Sequence, residues 1–352
     1  MTRVNIFNSF LYSPASHRRL ENSDKNNKMR DYSLDVIRLI ACSMIVLMHS
    51  PMSGLGTSGA VLCGISYLTA PGIGLFFMVS GALLLRGHSG KLFDTKGFLQ
   101  RRFSKILIPV IVWSLVGWGL DALGAKNAEL SILWFMYCLA GMYLMTPILS
   151  RWLNMAGKKE IEFYLLLWMV TMCVPFAKMF VPIDESDTSW LYYFHGYVGY
   201  YVLGFYLQNY LSKDVMISNG RRVVFTIMFV AISVVFPVAL FVLHAEVDFY
   251  SLFWYLSITI ALWCIVWWCV VKRLMRNVSK IPNWIVDLSK LSFGIYLIHI
   301  LVMRNLLWKT EWMQNMNGLV QIVVCAILTF TIGALISWGI SKIKYVRAII
   351  GY

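Results

Sequence analysis

The stretch LDVIRLIACSMIVLMHS, Leu34–Ser50, decides how the rest of the chain is read. It holds no glycine or proline. With its continuation to Leu55 it reaches the ~20 mostly apolar residues that a helix needs to cross a bilayer. Three ionisable side chains interrupt it: Asp35, Arg38 and His49. A charge inside a membrane span is costly and marks a functional site unless something simpler explains it. Arg38 and His49 are 11 residues apart. At about 100° and 1.5 Å per residue they share one helix face to within ~20° and stand ~16 Å apart along it. Asp35 lies one turn before Arg38 and is expected to pair with it.

Outward from this stretch, nine more apolar segments follow: Gly59–Leu85, Ile106–Leu123, Leu130–Leu149, Phe163–Phe180, Trp190–Leu211, Val223–Leu243, Phe249–Val271, Ile285–Trp308 and Leu319–Ile340. The fold expected is all-α, a polytopic transmembrane bundle of about ten spans. Ala70-Pro71-Gly72 should break or kink the second span. Composition agrees, for 59% of the 352 residues are hydrophobic and 14% charged, whereas a soluble chain is nearer half and a quarter. The abundance of aromatics (21 Phe, 18 Tyr, 14 Trp) excludes disorder for the bulk of the chain.

Ten spans put both ends on one side of the membrane. With the basic N-terminal tail in the cytoplasm, 26 of the 31 Lys and Arg fall on that side, 4 on the other, and Arg38 inside a span. This positive-inside bias absorbs most of the net charge of +14, which in a soluble protein would suggest nucleic acid. The expected organisation is a flexible basic cytoplasmic tail over residues 1–30, a membrane domain over 31–345 and a short cytoplasmic tail over 346–352. No signal-peptide pattern opens the chain. There is no internal repeat, and the chemistry is expected from helices and short loops.

Each polar candidate also has a plainer explanation. Arg38 alone could snorkel to lipid headgroups, and His49 could hydrogen-bond a neighbouring helix. A buried imidazole on the face of Arg38 nevertheless suits proton transfer near neutral pH. Arg101, Arg102 and Lys105, leading into the third span, suffice as a positive-inside anchor, and equally as a phosphate site at the cytoplasmic face. His195 and His299 taken singly read as interhelical hydrogen-bonding residues, although the topology lets them share a cavity with His49. Three histidines on different helices do not make a zinc motif, and no metal is expected. The seven cysteines lie in apolar runs without CxxC spacing and read as small buried hydrophobes. No P-loop, GxSxG or GxGxxG occurs.

The combination of blocks resembles the acyltransferase-3 family of integral membrane acyltransferases. LDVIRLIACSMIVLMHS resembles the family's first-span signature, an Arg and a His separated by ten residues, matched by Arg38 and His49. FFMVSGALLL (76–85) is similar to its second-span block, and RRFSKILIP (101–109) to its basic Arg-x-x-Arg motif, with Arg102 kept and Lys105 in the second place. LWFMYCLAGMYLMTPIL, GYYVLGFYL and SFGIYLIH follow in the family's order, so that the resemblance covers about residues 30–345. Lys105 keeps the charge of an Arg but loses its bidentate fork. Ile132 stands where many relatives carry a His before Leu-Trp. The closest likeness is to short, single-domain enzymes that O-acetylate surface polysaccharides.

The resemblance implies a multi-pass protein of the bacterial inner membrane that moves an acyl group, most often acetyl, from cytoplasmic acyl-CoA to a hydroxyl of a surface polysaccharide or lipid-linked glycan. On that reading Arg101, Arg102 and Lys105 hold the phosphates of acetyl-CoA or another acyl-CoA, and Arg38 lines the path of its arm. His49 meets the thioester as general base, or carries the acyl group as a covalent intermediate. Asp35, Trp134, His195 and His299 are expected to bind the acceptor. A second class stays open: a transporter or flippase whose Arg and His line a glycan path without acyl transfer. The lack of inverted repeats and the basic motif favour the enzyme.

Overall fold

The computed structural model describes residues 30–51, 59–85, 93–122, 134–181, 193–211, 228, 231 and 254–352. Its helices in chain order are α1 (Tyr32–His49), α2 (Gly59–Thr69), α3 (Pro71–Leu84), α4 (Thr95–Ala122), α5 (Trp134–Met155), α6 (Lys158–Phe180), α7 (Val198–Tyr210), α8 (Ile258–Leu274), α9 (Asn283–Leu301), the short α10 (Glu311–Gln314) and α11 (Gly318–Lys342). A π-turn, Val302–Leu307, extends α9, and a 3-10 turn, Arg347–Ile350, follows α11. No strand occurs among the described residues. Among the described residues six segments are long and apolar enough to cross a membrane: Tyr32–His49, Gly64–Leu84, Thr95–Gly119, Lys158–Lys178, Asn283–Leu307 and Gly318–Lys342. The chain is therefore an all-helical, multi-pass membrane protein. The expected span Val223–Leu243 lies almost wholly outside the described residues.

The centre and the rim of the bundle differ in what their side chains meet. In the most apolar stretch of Gly64–Leu84, 78% is buried in the protein, against 28% in that of Gly318–Lys342. On α11, Leu319, Val323 and Ile327 recur every four residues and face outward, as do Leu107, Ile111 and Leu115 on α4. Such stripes would be a liability in water and are ordinary surface in lipid. The centre is formed by α1, α3, α7 and α9. Helices α3 and α7 touch backbone to backbone: a Cβ on Gly81 would overlap the Tyr201 carbonyl, and one on Gly204 the Met78 carbonyl. With little hydrophobic drive between helices in lipid, this close approach is what lets packing hold the pair.

Several boundaries depart from the sequence expectation. The break at Ala70-Pro71-Gly72 is present, with α2 ending at Thr69 and Pro71 opening α3. Helix α4 starts at Thr95, so Arg101, Arg102 and Lys105 lie on the helix and not in the loop before it. Of the expected span Trp190–Leu211 the described part starts at Tyr193, and its α-helix begins at Val198. Gly196 takes φ +106°, a region open mainly to glycine, and its carbonyl accepts from Trp168 Nε1 at 2.9 Å, which fixes a turn there. The cysteines are not uniformly buried: Cys173 is exposed on α6 and Cys138 is half-buried.

Candidate active site

At the N-terminal end of α1, Asp31 caps the helix, accepting from Ser33 N at 3.2 Å and from the Ser33 hydroxyl. Its other oxygen accepts from Gln208 Nε2 of α7 at 2.9 Å and pairs with Lys272 of α8. Asp35 is buried and bound twice by Arg30, at 2.9 Å from both Nε and Nη2, and accepts from Ser289 Oγ of α9 at 2.9 Å. The expected Asp35–Arg38 ion pair is thus replaced. Arg30, in the non-helical lead-in, can fold back to present its planar fork, while Asp35 itself is turned toward α9. With its oxygens taken up by Arg30 and Ser289, Asp35 is a joint between helices.

Arg38 remains within electrostatic range of Asp35, and its other charged or phenolic neighbours include Arg102 of α4 and Tyr143 of α5. Arg102 is also near Tyr201 of α7, whose hydroxyl lies 2.8 Å from Thr146 Oγ1. Two half-buried guanidiniums and two buried tyrosines from four helices therefore lie within electrostatic range of one another near the start of α1. Among the described residues neither guanidinium has a carboxylate in ion-pair contact. Two like charges gathered in this way are stabilised when an anion sits between them. Arg101 and Lys105 are not gathered in: Arg101 is surface-exposed and 3.8 Å from Asp94, and Lys105 is exposed.

At the opposite end of α1, His49 meets His299 of α9, with ring centroids 5.3 Å apart and planes tilted by 45°. His299 has no exposed surface, and its Nδ1 hydrogen-bonds the Tyr296 carbonyl. His49 is half-buried. An aromatic chain runs away from the pair. His299 contacts Tyr296, Tyr296 contacts Phe135, and beside Phe135 stands Trp134, stacked at 5.5 Å on Tyr255 and equally close to Tyr197. The Tyr255 hydroxyl reaches Met48 Sδ at 3.5 Å, which ties the Trp134 end back to α1. His195 belongs elsewhere: its ring nitrogen is 3.2 Å from Thr171 Oγ1 of α6.

One charged residue near the pair was not expected. Arg304, inside the span expected over Ile285–Trp308 but not among the residues singled out from the sequence, acts electrostatically on both His49 and His299 and rests over the Trp308 ring at 5.5 Å. It sits in the π-turn, where Trp308 N bonds Met303 O five residues back. Pi-turns are rare and gather at functional sites. Nothing in the hydropathy pattern marks this one.

The order of these helices, the convergence of Arg38 with Arg102 and the pairing of His49 with His299 meet a matching family-level finding. The sequence profile of the acyltransferase-3 family, described as an acyltransferase domain, matches residues 31–338. The chain belongs to the acyltransferase-3 family. It is thus a membrane acyltransferase. No curated protein and no solved structure matches it. The matched region contains both ends of α1 and every helix that contributes to them.

Proposed function

We propose that this acyltransferase-3 protein transfers an acyl group, acetyl in the simplest case, from acyl-CoA to a hydroxyl of a surface polysaccharide or lipid-linked glycan at the bacterial inner membrane. The observation that carries the proposal is the division of labour along α1. A paired-guanidinium cluster lies at Arg38 and an imidazole pair at His49, ~16 Å further along the helix. Acyl-CoA has the same division: a polyphosphate at one end and a thioester at the end of a long thin arm. Arg38 and Arg102 bind phosphate, with Tyr143 and Tyr201 beside them, and Lys105 and Arg101 draw the donor in from the surface.

At the other end, His49 takes the proton of the acceptor hydroxyl as its oxygen attacks the thioester carbonyl. The new C–O bond forms, the C–S bond breaks, and the departing thiolate takes the proton back from the imidazolium. Arg304 is the charge placed to favour the oxyanion of the tetrahedral intermediate. Trp134 and Tyr255 offer aromatic surface for the acceptor. The test is thioester loss from acetyl-CoA with the purified full-length protein, supplied with a glycolipid extract. Wild type should consume thioester and His49→Ala should not. If neither does while the glycan still crosses the membrane, transport replaces the enzyme reading.

A further inference from the structure

His299 is completely buried, with 0% of its surface exposed. Its two nitrogens are treated differently. A carbonyl can only accept, so the bond to Tyr296 O puts the proton on Nδ1. In the neutral imidazole Nε2 is then an acceptor. That atom is buried and has no hydrogen-bond partner among the described residues. A buried polar atom without a partner costs about 1–3 kcal/mol and calls for an explanation.

The explanation lies one ring away. An N–H···N bond of about 3 Å, with the two ring radii added, brings imidazole centroids roughly 5 Å apart. The observed separation from His49 is 5.3 Å. The two rings therefore stand at the separation of an imidazole–imidazole hydrogen bond, and the His49 ring is half-buried. We infer that His299 is the positioning residue of the site: through its bare Nε2 it accepts the N–H of His49, fixes the His49 tautomer, and leaves the other His49 nitrogen bare for the acceptor hydroxyl. Being sealed from the surface, His299 does not itself meet substrate. It plays the part of the orienting group behind a base, with an imidazole where many hydrolases use a carboxylate. When His49 takes the hydroxyl proton, the resulting imidazolium donates to His299 Nε2, and the proton leaves again with the thiolate. The inference rests on the acyltransfer reading for its catalytic meaning but not for the His49–His299 bond itself.

Two variants with opposite expectations test it. His299→Phe keeps a packed ring and removes the acceptor; His299→Gln places an amide oxygen near the position of Nε2. A merely structural role predicts that Phe is tolerated at least as well as Gln in this apolar setting. Positioning predicts the reverse. His299→Phe should lose on the order of 10²-fold in kcat with the KM for acetyl-CoA nearly unchanged, and His299→Gln should recover much of the loss. A second readout needs no turnover. Diethyl pyrocarbonate acylates neutral imidazole, and peptide mass spectrometry isolates the product at His49. His49 should react several-fold more slowly in His299→Phe than in wild type or His299→Gln. Activity of the Phe variant equal to or above that of Gln, or equal His49 labelling in all three proteins, overturns the inference. If wild type consumes no acetyl-CoA, the acyl-CoA reading falls, and the labelling order still decides the histidine pair.

Discussion

Asp35 and Arg38 stand one turn apart on α1, both drawn out of water, and the protein treats them in opposite ways. Asp35 is answered from within: Arg30 grips both its oxygens and Ser289 adds a third bond, all at 2.9 Å. Arg38 has no carboxylate in ion-pair contact among the described residues: Asp35 acts on it from further off, and Tyr143, Arg30 and Arg102 complete its charged and phenolic surroundings. The same contrast separates Asp31, tied to Lys272 and Gln208, from the His49–His299 pair, where one nitrogen has no hydrogen bond among the described residues. A charge that the fold neutralises by itself belongs to the scaffold. One left short of its counter-charge has been reserved for something that arrives. The collar at the start of α1 is of the first kind, and the interior of α1 of the second.

The largest expected effect lies in the interior. His49→Ala should lower acyl transfer by about 10²–10⁴-fold while the unfolding midpoint in detergent stays near that of wild type. A loss of stability in step with activity would move His49 into the scaffold. Next come the guanidiniums. Arg102→Ala or Arg38→Ala should weaken acetyl-CoA binding by roughly 10- to 100-fold, the worth of one charge-assisted hydrogen bond of about 1.5–3 kcal/mol. His49→Ala should weaken it far less. Titration of immobilised protein with acetyl-CoA measures this directly, and wild-type affinity in Arg102→Ala would remove the phosphate site. Third is Asp35→Ala, which orphans Arg30 and Ser289. Since Arg30 is half-exposed, a cost of about 1–2 kcal/mol is reasonable. Donor affinity should not fall. A large drop in affinity with intact stability would reverse the assignment of Asp35 and Arg38.

Much of the scaffold could be read from the chain because lipid imposes a simple rule, a run of about 20 apolar residues per span. Helix α11 and the break at Pro71 follow from that rule and from proline's missing N–H. The shared face of Arg38 and His49 follows from helix geometry alone. What was not legible depends on contacts between distant residues or on single backbone turns. Asp35 was matched to its neighbour Arg38, whereas one of its partners is Ser289, 254 positions away. The early start of α4 was hidden by polar residues such as Gln100 and Arg101, which read as loop. His195 was grouped with the other histidines by depth, but Gly196 turns the chain and leaves it on Thr171. Arg304 was missed because a π-turn shifts the helical register, and the sequence carries no sign of that shift.

The smallest effect concerns the collar, and its sign can be worked out. Burial pushes the Asp31 carboxyl upward, but the bonds from Lys272, Ser33 and Gln208 outweigh it and hold it down to about 2. An unfolded Asp titrates near 3.9. A depressed folded-state value means that the stabilisation is fully present above about pH 4 and is lost as pH falls from there toward 2. Asp31→Asn isolates the charge, because Asn is an equally good N-cap and can still accept from Ser33. At pH 6 the variant should unfold at a lower temperature than wild type, and the gap should shrink steadily between pH 4 and pH 2.5. The gap should be modest and should narrow in high salt, since the Asp31 side chain is 37% exposed and such pairs are screened. Acyl transfer at pH 7 should hardly change, since Asp31 belongs to the collar. A gap that persists unchanged to pH 2.5 would mean that the difference between the two proteins does not come from the Asp31 charge, and that the link from α1 to α7 and α8 owes nothing to charge.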